Sequence, residues 1–251
     1  MQKTDYGKIA NTYNKRYVEN YLMNIERELK SLISTNNYKN ILEAGCGTGR
    51  WINCLNHDDF NIYGLDFSLE MLSIPKQKMH DLNIINANAV EIPFKDNFFD
   101  LIFCVNAIHH FPDKKKFVEE SKRTLANKGM LAVFGVDPHI DKDWYVYKYF
   151  AGVYENDLKR FPSLDQLKIL LSQSGFENIN IKSVENISVK RIGQEVFDDP
   201  FLEKHGNSQL ANLTEDEYQK GIEKIKHQTE KNPQTVFTTS VIFYLVTAKK
   251  I

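Results

Sequence analysis

Residues 41–50 read ILEAGCGTGR, a short apolar run with glycines at positions 45, 47 and 49. The run predicts a buried strand, and the glycines predict a loop whose backbone comes close to a ligand before a helix begins at Arg50. The dinucleotide-binding fingerprint has the spacing G-x-G-x-x-G, and Arg50 stands where its third glycine belongs. No Gly-Lys-Ser/Thr follows, which excludes a P-loop. The stretch therefore predicts a nucleotide-like cofactor that is neither the usual dinucleotide nor a triphosphate.

Polar side chains near the predicted loop indicate the chemistry of this ligand. Glu43 precedes the loop, where its carboxylate would repel a pyrophosphate and attract a cationic amine. Asp66 closes the next predicted strand, 21 residues after Gly45, a position from which a carboxylate can accept hydrogen bonds from both ribose hydroxyls. Asn88 follows the third predicted strand and can bond the edge of a purine. Together these residues predict a site for a nucleoside with an amino-acid-like tail.

Strand-like and helix-like segments alternate through the first half of the chain. The predicted helices begin at Arg50, at Ser68, which is a suitable N-cap, and at Asp113. Pro75 should end or kink the second helix early, and residues 127–129 should stop the third. Short loops between alternating strands and helices predict a parallel sheet with helices on both faces. The predicted strands are residues 41–45, 61–66, 83–88, 100–107 and 129–136.

The second half of the chain has a different pattern. Residues 143–150 (DWYVYKYF) hold five aromatic side chains, which suit either an apolar substrate pocket or the core face of an amphipathic helix. Ser163 and Gln166 predict a capping box at the start of a helix. Residues 193–233 are polar and mostly helical, and form either a lid over a site or a dimerisation element. TTSVIFYLVTAKK (238–250) predicts a strong last strand.

Three stretches in order, ILEAGCGTGR, GLDFSLEML and NANAVEIPFKDNFFDLIFCVNAIHHF, resemble the class I S-adenosylmethionine-dependent methyltransferases. The most similar subgroup is the small-molecule type typified by the methyltransferases of ubiquinone and menaquinone biosynthesis. The resemblance covers residues 35–137, and RFPSLDQLKILLSQSGFENINI is similar to the helix and sixth strand of that family. It implies an α/β fold: a Rossmann-like, doubly wound, mostly parallel seven-stranded sheet with helices on both faces, an antiparallel last strand and a helical cap insertion.

The resemblance also implies the ligands of the site. The cofactor would be S-adenosyl-L-methionine, with S-adenosyl-L-homocysteine as its product, and no metal is expected. The implied residues are Glu43, Gly45, Cys46 and Gly47 for the methionine end; Asp66 for the ribose; Phe67 and Met71 against the adenine or ribose; Asn88 and Ala89 at the adenine edge; Asn106 and Ala107 over the sulfonium; and Tyr6, Tyr13 or Arg16 for the cofactor carboxylate.

Several of these residues allow more than one interpretation. Asn88 stands where the family usually has Asp; its oxygen remains an acceptor but the charge is lost, so a lower cofactor affinity is expected. His109 and His110 follow the fourth strand, where one can act as a general base or a ring can simply pack against the strand end. The thiol of Cys46 is not expected to be catalytic. Asp100 is expected to cap or orient the start of the fourth strand.

Composition and charge limit the class of function. A chain of 251 residues with 42% apolar and 26% charged residues is typical of a globular protein with a packed core. The net charge of −1 argues against a dedicated nucleic-acid binder, and the Asn/Asp-Pro-Pro-aromatic motif of base-amine methylases is absent after the fourth strand. Three cysteines without metal-ligand spacing and a polar N-terminus predict a cytoplasmic protein. The longest apolar run, 241–246, is too short to span a membrane.

The expected function is transfer of a methyl group from S-adenosyl-L-methionine to a small-molecule acceptor by in-line displacement. We expect a monomer or homodimer without nucleic-acid partners; the acceptor atom stays open between O, N, C and S. The alternatives are a non-catalytic binding or scaffold protein of the same fold and, disfavoured by Glu43 and Arg50, an NAD-dependent oxidoreductase.

We expect residues 1–251 to form a single domain. Its expected parts are an N-terminal helical cover (1–34), a cofactor-binding half (35–137), the rest of the sheet and the substrate side (138–192 and 234–251) and a helical insertion that could serve as a lid (193–233).

Overall fold

The computed structural model describes residues 22–55, 59–78 and 83–251. The described chain forms two compact units. The first, called the sheet unit below, contains residues 22–137, 161–185 and 243–251, and the second, called the aromatic unit, contains residues 138–160 and 186–242. Tyr6, Tyr13 and Arg16 lie outside the described residues, so their predicted contact with the cofactor stays a prediction.

Seven strands form one sheet in the order β3-β2-β1-β4-β5-β7-β6. β1 pairs in parallel with β2 and β4, β2 with β3, and β4 with β5, whereas β7 runs antiparallel to β5. This confirms the predicted mostly parallel, seven-stranded sheet with an antiparallel last strand. The strands are β1 (Asn40–Ala44), β2 (Asn61–Asp66), β3 (Asn83–Asn86), β4 (Phe99–Val105), β5 (Leu125–Val136), β6 (Phe176–Ile192) and β7 (Val236–Lys250).

Helices connect the strands of the sheet unit and begin at recognisable caps. The Asp113 carboxylate accepts a hydrogen bond from the Lys116 N–H, and Ser163 forms the predicted capping box with Gln166. The helices are α1 (Met23–Asn36), α2 (Arg50–Leu55), α3 (Leu69–Lys78), α4 (Lys114–Thr124) and, after two helices of the aromatic unit, α7 (Leu164–Gln173), with a 3₁₀ turn at Ile108–His110.

Two predicted helix ends are wrong. α3 continues past Pro75 to Lys78, so the early end expected at this proline is wrong, and the kink expected as the alternative stays a prediction. α4 ends at Thr124, before the predicted stop at residues 127–129. The reason is strand pairing: Leu125 already pairs with Phe99 of β4, and the register shifts before the ladder resumes at Met130. Sheet pairing therefore ends this helix earlier than local sequence indicates.

Asp100 fixes the entrance of the central strands. One of its carboxylate oxygens, Oδ2, accepts hydrogen bonds from the backbone N–H groups of Lys39 (2.8 Å) and Asn40 (2.9 Å). These two groups lead into β1, which pairs with β4. The carboxylate therefore joins the amino ends of both strands, as expected from the sequence.

The aromatic unit has its own apolar core. Trp144, Tyr145, Tyr149 and Phe150 are buried and pack with Phe237 and aliphatic side chains of the same unit. The aromatic run at 143–150 is therefore core packing, one of the two interpretations that the sequence allows. The helices of this unit are α5 (Tyr145–Tyr149), α6 (Val153–Arg160), α8 (Ser208–Ala211) and α9 (Glu215–Lys231), with 3₁₀ turns at Gly193–Asp198 and Pro200–Leu202.

Buried acidic groups of the aromatic unit are held by tyrosine hydroxyls. The Tyr145 hydroxyl donates to Asp199 (3.0 Å), and the Tyr147 hydroxyl donates to Asp157 (2.9 Å). α9 starts at the predicted capping box of Thr214. Across the described ranges of both units, no helix combines the length and apolar character needed to cross a bilayer.

Candidate functional site

The glycine loop lies between β1 and α2, and its backbone conformation needs glycine. Gly45, Gly47 and Gly49 have φ values of 75°, 54° and 74°, in the left-handed region that other residues rarely adopt. The N–H groups of Gly45 and Cys46 both donate to the carbonyl of Leu65 at the end of β2, at 2.7 and 3.0 Å. The loop is therefore tied to the carboxyl edge of the sheet.

The loop also passes very close to the exit of β4. A Cβ added to Gly45 would lie 2.6 Å from the Cβ of Ala107 and 3.3 Å from the ring of Phe111. A Cβ added to Gly47 would meet only the terminal methyl of Met71, at 3.3 Å. The two glycines thus serve different purposes, since Gly45 permits a close backbone approach and Gly47 mainly a backbone conformation.

Asp66 links the glycine loop to the end of β2. Its Oδ2 accepts a hydrogen bond from the Gly47 N–H (2.8 Å), and its Oδ1 accepts one from the Ser68 N–H (2.9 Å). Burial raises the pKa of this carboxyl, and the surrounding N–H groups partly offset the rise. A carboxylate can accept about four hydrogen bonds in total, so beside the N–H groups of Gly47, Ser68 and Phe67 it can still receive a further donor, such as a ribose hydroxyl.

Two buried oxygens at the ends of β1 and β4 have no hydrogen-bond donor among the described residues: Glu43 Oε2 and Asn106 Oδ1. Glu43 is 1% exposed, and burial raises the pKa of its carboxyl well above the usual range. A hydrogen bond from the Ile52 N–H lowers this pKa in part, and the nearby Asp66 carboxylate raises it further. Asn106 has a φ of 50°, and its own N–H donates to the Phe134 carbonyl (2.7 Å). Buried acceptors without donors are costly and indicate a missing ligand.

The predicted adenine side of the site follows β2 and β3. Phe67 is 39% exposed, whereas Met71 and Ala89 are buried. Asn88 is exposed, and its Oδ1 accepts a hydrogen bond from the Val90 N–H (3.2 Å). One of the two lone pairs on the oxygen that the sequence offers to a purine is therefore used by the protein backbone.

Cys46 takes part in the site through its backbone. Its side chain is buried, and a Cβ added to Gly64 of β2 would lie 2.9 Å from the Cys46 sulfur. Burial raises the pKa of the thiol well above its usual value, and the nearby carboxylates of Glu43 and Asp66 raise it further. Because a thiol needs to ionise to act as a nucleophile, this environment agrees with the expectation that it is not catalytic.

The two candidate bases lie in the 3₁₀ turn that follows β4. His109 is buried; its ring stacks on Phe161 with centroids 3.8 Å apart and contacts the His110 ring at 3.9 Å. His110 is only partly buried. The packing interpretation thus suits His109, and a role of His110 in proton transfer stays a prediction. The sequence analysis did not select Phe111 and Phe161. Both lie outside the predicted strands and helices, and no sequence pattern there indicates which residues they contact.

Metal chemistry has no candidate centre in the part of the chain that the structure describes. No group of three or more His, Cys, Asp or Glu side chains there is arranged to hold an ion.

Comparisons with known proteins give the family. Residues 42–133 match the family model described as a methyltransferase domain. An uncharacterized protein of Methanocaldococcus jannaschii is 34% identical over 152 residues, which cover 60% of this chain and 57% of that protein. This chain thus spans little more than half the length of that relative. The demethylmenaquinone methyltransferase of Listeria welshimeri is 25% identical over 204 residues, covering 69% of this chain and 86% of the relative.

A solved structure shows the same fold. A Thermotoga maritima protein, described as a SAM-dependent methyltransferase and possible histamine N-methyltransferase, superposes with a TM-score of 0.61 at 18% identity, covering 98% of both chains. The topology described above, with its glycine loop at the carboxyl edge, agrees with the matched domain and with these relatives. The matched domain at residues 42–133, the menaquinone-type relative and the solved structure support a class I S-adenosylmethionine-dependent methyltransferase.

Proposed function

We propose that this protein binds S-adenosyl-L-methionine at the carboxyl ends of β1, β2 and β4 and transfers its methyl group to a small-molecule acceptor. The observation that carries the proposal is the pair of buried oxygens without donors, Glu43 Oε2 and Asn106 Oδ1. They lie on neighbouring strand ends beside the glycine loop. An ammonium group supplies both positive charge and donors, and so satisfies what these oxygens lack.

The remaining groups suit the rest of the cofactor. The Asp66 carboxylate has acceptor capacity left for a ribose hydroxyl beside its backbone donors, and the partly exposed Phe67 follows directly along the chain. The close approach of Gly45 to Ala107 shows that the missing side chain lets the loop pack against the exit of β4. These features support a nucleoside with an amino-acid tail and give no place for a pyrophosphate beside Glu43.

When bound, the cofactor supplies an activated methyl group on a positively charged sulfur. The protein would need to hold an acceptor on the far side of that methyl, in line with the carbon–sulfur bond. Asn106 and Ala107, at the exit of β4, are the residues that we expect to border this position, and the burial of Ala107 would help to keep it dry. If the acceptor is a hydroxyl or amine, His110 can take the proton that it loses.

A small-molecule acceptor is supported by charge and by the relatives. The net charge of −1 argues against a dedicated nucleic-acid binder, which usually carries a clear basic excess. The Listeria relative is named for a quinone-type acceptor, and the Thermotoga structure is described with a possible amine acceptor. Both names refer to small molecules, so we extend that class, and not either compound, to this chain.

Calorimetry with S-adenosyl-L-homocysteine tests the cofactor site. Glu43→Gln keeps the shape of the side chain but removes its charge, and should weaken binding by about 10- to 100-fold, because hydrogen bonds to a charged group contribute about 1.5–3 kcal/mol. Glu119→Gln, on the exposed surface of α4, is the matched control and should leave binding unchanged. Equal affinity of the wild type and Glu43→Gln would show that the ammonium does not bind here.

A second experiment tests the acceptor class. The protein is incubated with methyl-labelled S-adenosyl-L-methionine and a cell extract separated into small-molecule, nucleic-acid and protein fractions. We expect label in the small-molecule fraction, and less of it with Glu43→Gln. Label confined to nucleic acid or protein would overturn the acceptor assignment. Binding without transfer to any fraction would favour a non-catalytic binding protein of this fold.

A further inference from the structure

Gly135 of β5 has neither of the two usual structural reasons for a glycine. Its φ lies outside the left-handed region, so the backbone conformation does not require glycine. A Cβ added there would have no atom of the described residues within 4 Å, apart from its chain neighbours, so close packing does not require glycine either. Glycine inside a strand lowers stability, and it often marks a place where a ligand approaches the backbone.

The open space lies on one face of β5. Val133 and Leu131, two and four residues before Gly135, point to the same face; they are 2% and 1% exposed and pack in the core with side chains of α4 and α7. Gly135 pairs with Tyr244 of β7, whose half-buried side chain also points to this face. The core therefore covers this face as far as Val133 and leaves it open at Gly135, near the carboxyl end of the strand.

This space adjoins the exit of β4. The Asn106 N–H donates to the carbonyl of Phe134, the residue before Gly135, at 2.7 Å. Ala107, which follows Asn106, belongs to the same core as Val133. All of these residues lie in the sheet unit. An unfilled position on β5 is thus next to the residue whose buried Oδ1 lacks a donor and which we expect to border the methyl group.

We propose that Gly135 determines which methyl acceptors the protein takes, because the space over its backbone holds part of the acceptor. This inference rests on the proposed function, since it assumes that a methyl group is presented at the exit of β4. Any side chain at position 135 then occupies the place of the acceptor and leaves the cofactor contacts of Glu43 and Asp66 intact.

Substitutions at Gly135 distinguish this role from a structural one, because stability and transfer should change in opposite directions. Gly135→Ala makes the unfolded chain less flexible without a new clash, and should raise the thermal unfolding midpoint by about 1–4 °C. Gly135→Leu fills more of the space and should not lower the midpoint. Asn127→Leu adds the same side chain at an exposed position near the amino end of β5, and is the matched control.

Transfer is measured with methyl-labelled S-adenosyl-L-methionine and increasing amounts of the small-molecule fraction of a cell extract, and cofactor binding by calorimetry with S-adenosyl-L-homocysteine. Gly135→Leu should need about 10-fold or more of this fraction for half-maximal labelling than the wild type, with Gly135→Ala between them. Both variants should bind S-adenosyl-L-homocysteine as the wild type does, and Asn127→Leu should match the wild type in both assays.

Wild-type transfer by Gly135→Leu would overturn the role of Gly135, and so would loss of S-adenosyl-L-homocysteine binding in that variant, since the side chain would then act on the cofactor. If the wild type itself binds no S-adenosyl-L-homocysteine or labels no small molecule, the proposed function fails, and this inference fails with it.

Discussion

Gly45 gives the sharpest test of how the loop is packed, because the structure separates it from Gly47. Both glycines have positive φ, so alanine at either position is strained by about 1–2 kcal/mol. Only at Gly45 does the new methyl group overlap with a rigid neighbour, since its Cβ would lie 2.6 Å from that of Ala107. Carbon atoms normally pack at about 3.5–4.0 Å, so the loop or the exit of β4 needs to shift by about 1 Å.

The magnitudes follow from these contacts. Overpacking of this size costs about 1–3 kcal/mol in addition to the backbone strain, giving about 2–5 kcal/mol for Gly45→Ala. Gly47→Ala should cost only about 1–2 kcal/mol, because the flexible end of Met71 can move. At about 2–4 °C per kcal/mol for a chain of this size, we expect the thermal midpoint to fall by about 4–20 °C for Gly45→Ala and about 2–8 °C for Gly47→Ala.

Thermal unfolding followed by circular dichroism measures both variants, and a second substitution isolates the cause. Ala107→Gly removes the methyl group that Gly45→Ala would strike, so the double variant should be more stable than the sum of the two single effects predicts. Additive effects would mean that the two positions do not collide. A Gly47→Ala variant that is less stable than Gly45→Ala would refute the packing argument altogether.

Two further predictions concern charge. Burial raises the pKa values of Glu43 and Asp66 in the free protein. Between the usual carboxyl pKa near 4 and these raised values, the folded state therefore holds more protons than the unfolded chain, and stability falls as pH rises. A bound ammonium favours the ionised carboxylate, so affinity for S-adenosyl-L-homocysteine should rise over the same pH range, and a pH-independent affinity in calorimetry would contradict this. At the amino edge of the sheet, Asp100→Ala removes the acceptor of two backbone N–H groups. The loss should cost about 2–3 kcal/mol of stability and lower the thermal unfolding midpoint by about 4–12 °C, with cofactor affinity unchanged. A large loss of cofactor affinity would show that the amino and carboxyl edges of the sheet are coupled.

Much of the sheet could be predicted because its sequence signals are local. The strand at residues 61–66 ends at Asp66 in both the prediction and the structure, and the capping boxes at Ser163 and Thr214 form as their spacing indicates. These elements depend on neighbours within a few residues. The order of the strands and the antiparallel last strand depend on distant pairings, and were implied only by the resemblance to a family.

The errors arise where tertiary contacts override local preference. Residues 127–129 look like a helix stop, yet the pairing of Leu125 with Phe99 ends the helix sooner. At the site, the sequence identified Asn88 but not the direction of its amide, which is set by the Val90 N–H. Likewise the approach of Ala107 to Gly45 joins positions 62 residues apart. Local sequence and the family resemblance therefore supplied the candidate residues, and packing determines which groups those residues present.

The cofactor site also illustrates how stability is given up for binding. A buried carboxylate with an oxygen that lacks a donor raises the free energy of the unliganded protein, and that cost is recovered when a cation binds the folded state. At a pH above the raised pKa and without ligand, Glu43→Gln should therefore unfold at a temperature equal to or higher than that of the wild type. Added S-adenosyl-L-homocysteine should raise the unfolding temperature of Glu43→Gln less than that of the wild type. Gly45→Ala, by contrast, should lose stability with or without ligand, because its strain is steric. If Glu43→Gln instead destabilised the free protein, Glu43 would serve mainly to hold the fold, and the site would owe its specificity to the loop and Asp66.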